Sequence, residues 1–184
     1  MMIVYLGDYD ARTHDIGEKK SGVSHYVNHP QYNAYNVDND LSLIFLNWDI
    51  ELSNTIKTAC LANSNSNYEN SQVIAAGWGI DQLGGSENIL KEVNLITMNN
   101  QRCAFSLRNV GEVTDNMICA TGNFKGTCNG DSGGPLMLNG SENTVIGVTS
   151  WGTPDCNLNA PSVFARVSSQ LEWIKANAKG ICID

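Results

Sequence analysis

Cys128-Asn129-Gly130-Asp131-Ser132-Gly133-Gly134-Pro135-Leu136 is the stretch on which the reading of this chain turns. Its glycines let the backbone take conformations that residues with a Cβ avoid, so successive N–H groups can converge in front of the Ser132 hydroxyl. Such a cradle suits acyl transfer, in which an oxyanion must be stabilised as it forms. A serine placed there still needs a base to take its proton and a third group to orient that base.

The same run satisfies the looser pattern G-x-S-x-G. In an α/β-hydrolase that serine sits between a strand and a helix, and its acid and histidine follow it in the chain. Here the three histidines are His14, His25 and His29, and all precede Ser132. Gly133-Gly134-Pro135 also blocks a helix immediately after the serine. That architecture is excluded.

Working outward, 184 residues make one large domain or two small ones, long enough to bury a core. The net charge of -8 argues against nucleic acid or an anionic membrane as a partner. Charged residues are only 16% of the chain, which fits short strands joined by many turns. Six cysteines without zinc-ligand spacing point to disulfides in an oxidising, extracellular compartment. The opening Met1-Met2-Ile3-Val4-Tyr5-Leu6 is too short for the apolar part of a secretion signal and reads as an interior strand. No run approaches transmembrane length.

Period-two alternation predicts strands at Val23 to Val27, Leu41 to Leu46, Val73 to Ala76, Ile89 to Ile96, Met117 to Cys119, Leu136 to Leu138, Val145 to Ser150 and Val163 to Val167. Turn-rich clusters at Asn63 to Asn70 and Gln82 to Asn88 separate them. A short helix is expected over Asn99 to Phe105. A longer one is expected over Ser168 to Ala178, with Ser168 or Ser169 as its N-cap and Gly180 as its stop. The pattern is all-β with a C-terminal helix.

Seven segments now fall into one order: Asn39-Asp40-Leu41-Ser42-Leu43-Ile44, Ala76-Gly77-Trp78-Gly79, Asp115 to Ala120, Cys128 to Leu136, Gly147 to Gly152, Pro161 to Val167, and the helix ending Trp173-Ile174. In these the chain resembles the chymotrypsin-like (trypsin-fold) serine proteases over nearly its whole length. The resemblance implies two antiparallel six-stranded Greek-key barrels with the active site in the cleft between them. Residues 1–60 would be an incomplete first barrel, 61–167 the second, and 168–184 the C-terminal helix and tail. Ser132 would be the nucleophile, and the N–H groups of Gly130 and Ser132 the oxyanion hole. Asp40 would be the acid that orients the histidine, supported by the Ser150 hydroxyl. Asp131 would pair with the α-ammonium released when a zymogen is cleaved.

The family's general base lies in a Thr-Ala-Ala-His-Cys segment that would precede Met1. His29, in His29-Pro30-Gln31-Tyr32-Asn33, resembles a surface stretch before the aspartate strand, and His14 and His25 lack the Ala-His-Cys context. The resemblance therefore implies a serine endopeptidase whose histidine segment lies outside this sequence, so that this chain alone is inactive. The competing reading is a non-catalytic homologue serving as a binding or regulatory module.

By resemblance Cys103 pairs with Cys119 and Cys128 with Cys156. Val73 and Leu138 stand where the family has a third bridge. Cys60 could pair with Cys182 or with a segment outside the chain. The specificity pocket would be lined by Gly126, Thr127, Asn129, Ser150, Trp151, Gly152 and Ser162, with Gly126 at its base where an Arg/Lys-cleaving enzyme carries aspartate. That favours large apolar or aromatic residues before the scissile bond, and Asp155 at the rim could favour basic neighbours. Asp8, Asp10, Asp15 and Glu18 resemble the calcium loop of some members, though an acidic loop without metal is the simpler reading. No cofactor is expected. Expected partners are protein or peptide substrates and protein inhibitors, for a secreted monomer. Asn139-Gly140-Ser141 is a sequon.

Overall fold

The computed structural model describes residues 2–64, 66–81, 88–140 and 143–184. Residues 82–87 of the turn cluster expected at Gln82 to Asn88, residue 65 of the cluster at Asn63 to Asn70, and Ser141 of the sequon lie outside them. Strands β1 (Ile3–Leu6), β2 (Lys19–Asn28) and β3 (Ser42–Leu46) form one antiparallel sheet in chain order. Then come β4 (Cys60–Leu61), β5 (Gln72–Gly77), β6 (Lys91–Met98), helix α1 (Asn100–Leu107), β7 (Met117–Thr121), β8 (Pro135–Leu138), β9 (Thr144–Trp151) and β10 (Ser162–Arg166). A 3₁₀ turn (Ser168–Gln170) leads into helix α2 (Leu171–Asn177). The second sheet runs β10-β7-β6-β5-β8-β9, and β10 pairs again with β9, so six antiparallel strands close into a barrel with no free edge among them. The all-β fold with a C-terminal helix is as expected, and the first sheet has three strands.

The barrel closes because its strands alternate cleanly. Val73, Ala75, Leu95, Ile118, Ala120, Leu136, Ile146 and Phe164 point inward and are almost fully buried. Each large apolar side chain removed from water contributes about 1.5–3 kcal/mol. Strand β7 is buried on both faces, because Met117 and Cys119 turn outward against Cys103 and Leu107 of α1 and Val163 of β10. The Cys103–Cys119 disulfide staples α1 into that outer cluster. Gly147 has no room for a side chain: a Cβ there would lie 3.0 Å from Phe164 and 3.2 Å from Ile118. Val73 and Leu138, expected to replace a bridge, are register partners in β5 and β8.

Two elements differ from the sequence reading. Strand β4 was not expected; it pairs in parallel with β9 and carries the C-terminal tail, since Leu61 N–H donates to Cys182 and Asp184 N–H donates to Leu61. The Cys60–Cys182 disulfide fixes that arrangement, resolving a pairing that the sequence left open. The long C-terminal helix is split, and neither serine caps it: the Ser169 hydroxyl donates backward to the Arg166 carbonyl at 3.0 Å. Helix α1, by contrast, has a side-chain cap, with Asn99 Oδ1 accepting from Gln101 and Arg102.

The first sheet is differently built. None of its described residues joins either buried cluster. Ile3, Tyr5, Tyr26 and Ile44 are exposed on its strands, and Trp48 and Leu52 beyond them.

Candidate active site

Two left-handed glycines, Gly130 (φ +98°) and Gly133 (φ +82°), shape the loop that carries Ser132. Asp131 N–H donates to the Cys128 carbonyl at 3.0 Å and Gly134 N–H to the Asp131 carbonyl at 2.9 Å, which makes two successive turns. Gly134 must be glycine, because a Cβ there would sit 2.5 Å from the Ala76 carbonyl oxygen. Ser132 is exposed at the apex. Within the described residues the N–H groups of Gly130 and Ser132 make no hydrogen bond, so both are free to donate outward.

The loop is fixed to β9 by Gly133 N–H to the Thr149 carbonyl (2.9 Å) and Thr149 N–H to the Gly134 carbonyl (2.8 Å). The next residue on that strand, Ser150, donates its hydroxyl to Asp40 Oδ2 at 2.7 Å. Asp40 thus stands beside the Ser132 loop, though the two lie far apart in the chain. Its other carboxylate oxygen has no hydrogen bond among the described residues.

Asp131 faces the opposite way. Its Oδ1 accepts the Gly79 N–H at 2.8 Å and its Oδ2 the Cys128 N–H at 2.9 Å. A Cβ on Gly79 would lie 2.4 Å from the Asp131 carboxyl carbon, which explains the glycine in the Gly77-Trp78-Gly79 segment. Against the loop a single cavity of about 670 Å³ runs from Gly77, Gly79 and Asp131 to Gly126, Asp155 and Leu158.

Of the predicted pocket residues, Gly126, Thr127 and Ser162 lie against one another. The Ser162 hydroxyl accepts the Thr127 N–H at 3.0 Å and would lie 3.1 Å from a Cβ on Gly126. Leu158 comes next nearest, 3.6 Å from the same point. It had no sequence signal, because it lies in an irregular loop. The Cys128–Cys156 disulfide ties the serine loop to the loop that carries Leu158. A Cβ on Gly152 would meet nothing within 4 Å. Asn129 is exposed, and its carbonyl is taken by the Ile80 N–H. Trp151 is half-buried, its indole N–H enclosed without a partner among the described residues.

None of the three histidines bonds Asp40 or Ser132 within the described residues. His14 contacts the Glu18 carboxylate at 3.1 Å and is largely exposed. His25 stacks on Phe45 with ring centroids 4.3 Å apart and contacts Ser24 Oγ. His29 is buried against Trp173, and its Nδ1 accepts the Gln31 N–H at 3.2 Å. Burial pushes the His29 imidazole below its ordinary value, against the opposing pull of Asp38 and a hydrogen bond to Gln170.

A pH dependence follows. As pH falls past the ordinary histidine value of 6.5, unfolded chains bind the proton first while folded His29 resists it. Stability is therefore expected to drop below that value and to level once His29 itself protonates. Urea midpoints measured at about pH 7.5 and about pH 5.5 check this, and His29→Gln should narrow the difference.

The acidic loop largely satisfies itself. Asp10 binds the Arg12 guanidinium through both oxygens, at 2.9 and 2.8 Å. Asp15 accepts the N–H groups of Tyr9 and Asp10, and Glu18 accepts the Asp15 N–H. Burial first, then Glu18, Asp15 and Asp10, raises the Asp8 carboxyl. Among the described residues no three His, Cys, Asp or Glu side chains are arranged to hold a metal.

Comparison with known proteins bears directly on this geometry. The profile described as Trypsin matches residues 1–174. The chain is 38% identical over 167 residues to alkaline trypsin C of Manduca sexta, covering 85% of this chain and 64% of that protein. It is 38% identical over 160 residues to trypsin delta of Drosophila erecta (85% and 61%), and 34% identical over 162 residues to a trypsin of Phaedon cochleariae (85% and 61%). The chain thus spans a little over three-fifths of the length of these relatives. With a closed six-stranded barrel, a second sheet and matches of this extent, the chain belongs to the trypsin family of chymotrypsin-like serine proteases.

Proposed function

We propose that the protein is a secreted serine endopeptidase that hydrolyses peptide bonds through an acyl-enzyme. Ser132 is the nucleophile, and the outward N–H groups of Gly130 and Ser132 receive the oxyanion. Asp40, held by Ser150, orients an imidazole and stabilises it once charged. The observation that carries this reading is the 2.7 Å hydrogen bond from Ser150 to Asp40, which sets a carboxylate beside the serine loop. Since His14, His25 and His29 are all engaged elsewhere, that imidazole comes from outside these 184 residues. The chain on its own is therefore inactive. The chemistry requires no metal or cofactor.

Asp131 is the anchor for a chain-terminal ammonium. The cavity against the loop gives such a terminus a place to enter, and the two N–H groups on Asp131 hold the carboxylate ready for it. Cleavage of a precursor would supply that terminus, which makes the protein a zymogen product.

Specificity follows from the floor of the pocket. Gly126 presents no charge, and its neighbours are the Ser162 hydroxyl and the Leu158 methyl. Neither neighbour is a carboxylate, so a guanidinium or ammonium seated against Gly126 would have to reach toward Asp155 on the same cavity, and it is disfavoured by several kcal/mol. Phe, Tyr, Leu and Met are the residues expected before the scissile bond. In a peptide-anilide panel the full-length, activated protein should favour Phe over Arg by about 10³-fold in kcat/KM. A preference for Arg or Lys would overturn the pocket assignment, and hydrolysis of nothing would favour a non-catalytic binding module.

A further inference from the structure

The residue before Asp40 is the focus of a polar network that the triad itself does not use. Asn39 is buried and left-handed, with φ +55°, a conformation that costs a non-glycine residue free energy unless its side chain is held. Its amide is held on every side. Asn39 Nδ2 donates to the Gln31 carbonyl at 3.0 Å and to Asp38 Oδ2 at 3.1 Å. Asn39 Oδ1 accepts from Gln170 Nε2 at 2.9 Å. Gln170 is 4% exposed and belongs to the 3₁₀ turn at the far end of the chain.

The Gln170 amide nitrogen is shared: Nε2 donates to Asn39 Oδ1 and also to Ser169 Oγ at 3.2 Å. Gln31 is a second point of attachment, since its carbonyl accepts from Asn39 Nδ2 while its N–H donates to His29 Nδ1 at 3.2 Å. Asp38 adds two further ties to the second barrel, accepting the Thr114 hydroxyl at 2.6 Å and Asn116 Nδ2 at 3.1 Å.

We infer that Gln170 is a positioning residue for the Asp40 carboxylate, acting through Asn39. Without its donor, Asn39 Oδ1 is a buried acceptor with no partner, and the left-handed turn that aims Asp40 at Ser150 loses its clamp. Gln170 touches no reacting atom. Its effect is on the direction of a carboxylate one residue beyond its partner, and small misplacements of such groups are costly to turnover.

This inference rests on the serine endopeptidase reading, and its test separates the two. In the full-length, activated protein, Gln170→Met removes the donor at equal length, and Asn39→Gly removes the amide while accommodating the positive φ. Each is expected to lower kcat by about 10-fold with KM within about twofold, and the double variant should fall no further than either alone. Crystal structures of the wild type and the variants give a readout independent of turnover: the Ser150–Asp40 hydrogen bond should be kept in the wild type and lengthened or lost in both variants. A purely structural role would lower melting temperature while leaving kcat and that bond intact, and would overturn the inference; if Gln170→Met fails to fold, Asn39→Gly decides it. A wild type that keeps the bond but hydrolyses nothing would instead overturn the endopeptidase reading.

Discussion

Replacing Ser132 with alanine in the full-length, activated protein should lower kcat by about 10⁶-fold while leaving KM within a few-fold. The loop around it would survive, because its shape comes from Gly130, Gly133 and the two bonds to Thr149 and none of these uses the hydroxyl. Substrate would still bind against Gly126, Ser162 and Gly152. What disappears is covalent catalysis, leaving about 10³–10⁴-fold over water from binding and the two N–H groups. A loss of only tenfold would mean that another group attacks the carbonyl.

Asp40→Asn should lower kcat by about 10⁴-fold near neutral pH. The amide would fit the same space, and its oxygen could still accept from Ser150. It could no longer stabilise an imidazolium, and it would present a donor where the imidazole N–H needs an acceptor. The two losses should not add: Asp40→Asn in the Ser132→Ala background should change the residual rate little, because the pair acts as one device. Full additivity would show that Asp40 works apart from Ser132.

Most of the fold could be read from the sequence because the barrel strands alternate at period two and each inward residue is buried. Strand β7 was found from Met117-Ile118-Cys119 even though both faces are covered. Strand β4 was not, because two residues carry no periodicity; it exists through pairing with β9 and the tail, a tertiary effect. The pattern over Ser168 to Ala178 predicts one continuous helix with a serine cap. A 3₁₀ turn displaces that cap because Ser169 finds the Arg166 carbonyl and Gln170 is drawn inward to Asn39. The serine loop was legible because glycines at 130, 133 and 134 answer a backbone requirement. Leu158 and Gln170 were not, since nothing in their local sequence states what lies across the fold from them.

The most direct measurement is covalent labelling with a fluorophosphonate followed by peptide mapping. The account predicts one label per molecule on the full-length, activated protein, carried by Ser132, and none on the 184-residue chain. Label at Ser132 of the short chain would mean that a base exists within it, and absence of label from the activated protein would contradict the proposed catalytic centre altogether.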